Sequence, residues 1–174
     1  MSRRVAMLAT VVALVPGLLA PVNVAAATSV DVALVGTFTD PSGVTGGVGG
    51  LLSIQQFADD GGLVARGTAT YSLCIPGVDP KNCLATITQA VQLPIDSLTA
   101  TCAAATIELG GLVLVSPPSL DGFTLRFDPA SITLTADTPA AERAACSLAR
   151  QLDHDARARM LARLLNRLLG ALAG

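Results

Sequence analysis

Tryptophan is absent from this chain, and Tyr71, Phe38, Phe57, Phe123 and Phe127 are its only aromatic residues. So few rings argue against a carbohydrate-binding module that stacks sugars, and, with an acidic strand-forming part, against nucleic acid as a partner. Histidine is nearly absent too. His154 stands alone between Asp153 and Asp155, and no two cysteines form a C-x-x-C pair, so a zinc site lacks its ligand set. A serine hydrolase would have to use His154 as its base, yet no serine lies in a Gly-x-Ser-x-Gly context. The glycine run from Gly43 to Gly50 lacks both the Lys-Ser or Lys-Thr of a phosphate loop and the G-x-G-x-x-G spacing, and reads as a flexible connection. Nearly every Asp adjoins Gly, Pro or another turn residue, which suits turns better than paired carboxylates for glycoside cleavage or calcium ligation at Asp59 and Asp60. No catalytic, cofactor-binding or metal-ligating residue is assigned, no cofactor is expected, and the chain is read as a non-enzyme.

A long hydrophobic run is also missing. Val5 to Leu19 is apolar but interrupted by Pro16 and Gly17, and it falls short of the roughly 20 residues of a spanning helix. Arg3 and Arg4 precede it and Ala25-Ala26-Ala27 follows, so residues 1–27 read as a cleaved secretory signal. No cysteine precedes Cys74, which leaves no acceptor for lipid attachment near the cleavage site. The remaining 147 residues, 28–174, suit a single domain located outside the cytoplasm, secreted or in the cell envelope.

What is present begins with Cys74, Cys83, Cys102 and Cys146. After an export signal an even count reads as two disulfides, with three pairings formally open. Cys74 and Cys83 flank a turn-rich loop whose end their bond would close, and that leaves Cys102 for Cys146.

Alternation of apolar and polar residues marks strands. Val30, Val32, Leu34 and Phe38 share one parity, and Leu51 to Phe57 turns at Asp59-Asp60-Gly61-Gly62 into Leu63 to Leu73. Phe57 breaks the parity of Leu52 and Ile54, which predicts a bulge near Gln55 and Gln56. Leu84 to Leu93 follows, ended by Pro94. A long strand over Thr106 to Ser116, bent at Gly110-Gly111, precedes Phe123 to Asp128 and Ile132 to Ala136. About eight strands without intervening helices predict an antiparallel β-sandwich or barrel over residues 28–137.

Residues 138–174 read as one or two helices covering that sheet. Thr138 is the expected N-cap with Pro139 in the first turn, and Ala141, Ala145, Leu148 and Leu152 line one face. Met160, Leu161, Leu164, Leu165, Leu168 and Leu172 form a second apolar set, about 180° out of phase with the first at 100° per residue. The chain must therefore break between Gln151 and Asp155, with Asp153 or Asp155 capping the second helix. Leu164, Leu165 and Leu168 are expected to be buried.

Charge divides along the chain. Residues 28–137 hold ten acidic side chains against Arg66, Lys81 and Arg126, whereas residues 138–174 hold six arginines against Glu142, Asp153 and Asp155. Arg159, Arg163 and Arg167 fall four apart, a repulsive spacing that costs about 0.2–0.5 kcal/mol per pair. Something negative should face them, either the acidic sheet or an anionic membrane surface.

Several stretches resemble, in order, a pattern in uncharacterised exported bacterial proteins. They are Gly50 to Phe57, Gly62 to Thr68, Cys102 with Ile107 to Leu112, Ile132 to Ala136, Cys146 in its helix, and Leu161 to Asn166. The resemblance implies that Cys102 and Cys146 recur while Cys74 and Cys83 are an addition. Where such proteins carry Asn-Leu-Leu ahead of the helix cysteine, this chain has Ala140 to Ala145, so helix packing should differ. No activity comes with the resemblance. The expected role is a binding or interaction module for a small apolar ligand or a protein partner; the alternative is an envelope protein docking through its amphipathic C-terminal helix, with Arg159, Arg163 and Arg167 on the docking surface.

Overall fold

The computed structural model describes residues 29–74, 83, 85–115, 121–154 and 156–172. The signal peptide expected over residues 1–27, the Pro117-Pro118 turn and Asp155 lie outside the described residues. Among those described, eight strands come first: β1 (Val30–Thr39), β2 (Thr45–Asp59), β3 (Leu63–Cys74), β4 (Ala85–Ala100), β5 (Ala104–Leu109), β6 (Leu112–Val115), β7 (Thr124–Phe127) and β8 (Ala130–Thr135). Two helices follow, α1 (Pro139–Leu152) and α2 (Ala158–Ala171). All strand pairs are antiparallel, in the order β6-β7-β1-β2-β3-β4-β5-β8, and the sheet curls into a half-barrel. The mostly-β class with C-terminal helices is as expected.

The curl has a local cause at Gly110-Gly111. The single bent strand expected there is instead two strands, β6 at one end of the sheet order and β5 next to the last strand, β8, at the other. Their partner arm bends at the same level, at Asp128-Pro129, so Leu109 faces Ala130 and Leu112 faces Phe127 in one unbroken register. On one side of the bend the Gly110 N–H donates to the Pro94 carbonyl at 2.9 Å, and on the other the Asp128 N–H donates to the Val35 carbonyl at 2.9 Å. One folded hairpin thus ties β4 to β1. A Cβ on Gly110 would stand 2.7 Å from Asp96 Oδ1 and 2.9 Å from the Pro94 ring, which is why glycine occupies the bend.

Two further expectations are corrected. Pro94 does not end its strand: β4 continues to Ala100, and Pro94 sits where β4 exchanges its partner β3 for β5, beside a register shift between Ile95 and Ser97. Only residues 40–44 of the glycine-rich stretch form a turn, in which the Asp40 carboxylate accepts from Ser42 N, Ser42 Oγ and Val44 N at 2.7–2.9 Å. From Thr45 the chain is already β2, because β1 and β3 bind it on both sides and outweigh the poor strand propensity of glycine. Gly50 is also needed for space, since a Cβ there would stand 2.6 Å from Tyr71 Cα.

The core lies between the curled sheet and the helices. Val32, Leu34 and Phe38 point inward from β1 while Asp31, Val35 and Thr37 face out. Tyr71, Phe38, Phe57 and Phe127 are the largest fully buried side chains, and Tyr71 meets Phe127 edge-on with ring centroids 5.2 Å apart. The Tyr71 hydroxyl accepts a hydrogen bond from Gln89 Nε2 at 3.0 Å, and burial pushes this phenol above its ordinary pKa.

Thr138 caps α1 as expected, its Oγ1 accepting the Ala141 N–H at 3.1 Å with Pro139 following. Ala141, Ala144, Ala145 and Leu148 are buried as α1 packs on β4 and β5. The helix ends at Leu152 and the chain reverses, so the predicted break is present. Its capping differs, however. Asp153 closes the end of α1, and α2 begins beyond Arg157, which makes no side-chain cap bond. The reversal is instead held by Gln151, whose carbonyl accepts from the N–H groups of His154 and Ala156, each at 3.2 Å.

The buried face of α2 is also turned from the one expected. Ala162, Leu165, Leu168 and Leu169 are buried, Leu161 and Leu164 are half-buried, and Met160 is exposed. The buried four fall within an arc of about 120°. The rotation brings Asn166 to the predicted bulge, where the β2–β3 register shifts between Ile54 and Gln56. There Asn166 Oδ1 accepts the Phe57 N–H at 2.7 Å and Asn166 Nδ2 donates to the Phe57 carbonyl at 2.8 Å.

Candidate functional site

Both expected disulfides are formed, Cys74 with Cys83 and Cys102 with Cys146. The first closes the β3–β4 connection. The second ties the β4–β5 turn to α1. No cysteine is free, so none is available as a nucleophile. His154 is exposed in the turn after α1. Among the described residues no group of three or more His, Cys, Asp and Glu side chains is placed to hold a metal. Asp60 serves its turn: its carboxylate accepts from Gln92 Nε2 and Arg66 Nη2, each at 3.0 Å, and these bonds hold its pKa below the ordinary carboxylate value.

The helices carry the unusual feature. Arg143 and Arg150 on α1, Arg157 before α2, and Arg159, Arg163 and Arg167 along α2 are all exposed. Among the described residues the sole ion pair is Arg66 with Asp60, at the β2–β3 turn. Among the described residues no carboxylate pairs with the α2 arginines. Two physical reasons account for this. The apolar arc of α2 faces β2 and β3, which puts Arg159, Arg163 and Arg167 on the opposite side of the helix. Several sheet carboxylates are meanwhile occupied near home: Asp31 accepts from the Ser53 hydroxyl, Asp40 from Ser42, and Glu108 from the Ser131 hydroxyl.

The arginines border the seam between the antiparallel helices. One recess, of about 410 Å³, is lined by Ala140, Arg143, Ala144, Ser147, Arg167 and Ala171. A second, of about 420 Å³, lies further along, lined by Gln151, Ala156, Arg157, Arg159, Met160 and Arg163. Ser147 and Gln151 on α1, like Arg167 and Arg163 on α2, are one helical turn apart, so the two recesses follow each other along one seam. Arg159, Arg163 and Arg167 repel one another at their four-residue spacing, and among the described residues none of them is ion-paired. Thr138 Oγ1 donates to the Ala171 carbonyl at 3.4 Å, linking the start of α1 to the end of α2. One bond thus crosses the seam, while the Cys102–Cys146 bridge fixes α1 to the β4–β5 turn and Asn166 fixes α2 to Phe57 of β2.

Of these residues, the sequence pointed to Arg159, Arg163 and Arg167. It missed Arg143, which joins Arg167 only once the helices pair, and Met160, which had been counted with the apolar face. It also missed Asn166, although a polar residue one turn after Ala162 and between two buried leucines is a legible sign of a specific partner.

Compared with known family models, curated proteins and solved structures, the chain matches none.

Proposed function

We propose that the protein is an exported, non-catalytic binding module that engages an anionic partner through the arginine-lined face of its two helices. The observation that carries this reading is the set of exposed arginines, without carboxylate partners, on a helical pair fixed to the sheet. Two disulfides fit an oxidising, extracytoplasmic location. The partner docks outside the half-barrel, because Tyr71, Phe38, Phe57 and Phe127 fill the interior that a small apolar ligand would need.

An envelope-docking role remains the second reading, favoured by exposed Met160 between Arg159 and Arg163. It is a peripheral contact. Ala162, Leu165, Leu168 and Leu169, which an inserting helix would offer to lipid, face the core, and no described helix is long and apolar enough to cross a membrane.

The test is binding of the oxidised protein to soluble polyglutamate and to vesicles of phosphatidylcholine with phosphatidylglycerol, across a salt series. At least one should bind and weaken with salt. Joint replacement Arg143→Gln, Arg163→Gln and Arg167→Gln should abolish that binding without lowering the melting temperature. Binding indifferent to salt and to the triple replacement, or no binding at all, would defeat the reading.

A further inference from the structure

We infer that the seam between α1 and α2 is a groove for an acidic amphipathic helix of a protein partner. The inference rests on the proposed anion-docking face and names what fits it.

The shape of the face selects the partner. Arg143 from α1 and Arg167 from α2 stand on opposite banks of one recess, and Arg159 and Arg163 continue the α2 bank along the next. A flat bilayer would reach the outermost arginines, whereas a rod lying in the seam reaches both banks. Between the banks the first recess carries the small side chains of Ala140, Ala144, Ser147 and Ala171. Small side chains let a third backbone approach closely, and Met160, in the second recess, is the flexible apolar residue that adapts to a partner surface. A helix laid in such a groove is read by residues three and four apart. Here that means small apolar residues on one stripe, with Glu or Asp on both flanks. The face carries arginine and no lysine. The planar guanidinium takes a carboxylate through two parallel hydrogen bonds, which orients a flanking Glu as well as attracting it. Each helix of the pair has 14 residues, so the groove accommodates a rod of about 20 Å, or nearly four turns.

The experiment uses the oxidised protein and three probes. One is a designed helical peptide with an Ala/Leu stripe and Glu flanks. The second is a peptide of the same composition with the stripe scrambled. The third is the phosphatidylglycerol vesicle. The striped peptide should bind about tenfold more tightly than the scrambled one, the bank replacements Arg143→Gln and Arg167→Gln together should weaken it about tenfold, and Met160→Glu should weaken it further, all with unchanged melting. Equal binding of striped and scrambled peptides would overturn the groove while leaving anion docking in place. So would arginine-dependent binding of vesicles without binding of either peptide. Failure of all three probes would remove both readings.

Discussion

Asn166→Leu isolates the contact that sets the rotation of α2. Phe57 faces Ala65 of β3, and its own N–H and C=O point the other way, beyond the end of β1, which starts opposite Ile54. Asn166 stands in for the missing strand with its bonds of 2.7 and 2.8 Å. Leucine keeps the volume and removes both partners. Each lost bond costs about 1 kcal/mol net, and two part-buried backbone groups left without partners add about 1–2 kcal/mol, for a total of about 3–4 kcal/mol. At about 2–4 °C per kcal/mol for a domain of this size, melting should fall by about 10 °C. Thermal denaturation of the oxidised protein measures the loss, and amide exchange at Phe57 locates it. The neighbouring replacement Arg167→Gln, on the exposed side, should leave both unchanged. If Asn166→Leu melts like the parent and the Phe57 amide stays protected, the clamp contributes nothing and the rotation of α2 has another cause.

Other outcomes follow from the same structure. Replacing Cys102 and Cys146 by alanine opens a loop with a sequence separation of 44, against 9 for Cys74 and Cys83; in the chain-entropy model the costs are about 4 and about 2.6 kcal/mol, so denaturant midpoints should fall further for the first pair. Leu165→Asp with Leu168→Asp should prevent folding, since each substitution removes a buried side chain and introduces an unpaired charge, while Leu164→Asp, at a half-buried position, should be milder by circular dichroism. Asp60 has a depressed folded-state pKa, so its stabilising effect is present above the ordinary carboxylate pKa and lost as pH falls through the folded value; carboxyl NMR titration should place it below the unfolded reference. Tyr71 is the opposite case: its raised pKa gives stability that is present below the ordinary phenol value, about 10, and lost as pH rises through the folded value, which alkaline unfolding of Tyr71→Phe against the parent would reveal.

Local patterning alone determined the strand parity of β1, the β2–β3 turn, the Thr138 cap, the reversal after Leu152 and the two cysteine pairs. Each depends on neighbours a few residues apart, or on the elimination that an even cysteine count permits. The places where the sequence misled share the opposite property. Glycines 46, 47, 49 and 50 look like a loop until β1 and β3 bind them on both sides. Pro94 looks like a stop until β4 changes partners beside it. Gly110-Gly111 looks like a kink in one strand, yet it separates the edge strand β6 from β5, which lies inside the opposite edge strand β8, because the hairpin must pair with β4 on one side and β1 on the other. For α2, hydrophobicity predicted a stripe, and contacts with β2, β3 and Phe57 decided which side of it was buried. The sign of the helical charge was legible residue by residue, but a groove with arginines on both banks exists only after α1 and α2 pair, since Arg143 and Arg167 are brought together by tertiary packing and by nothing in their spacing along the chain.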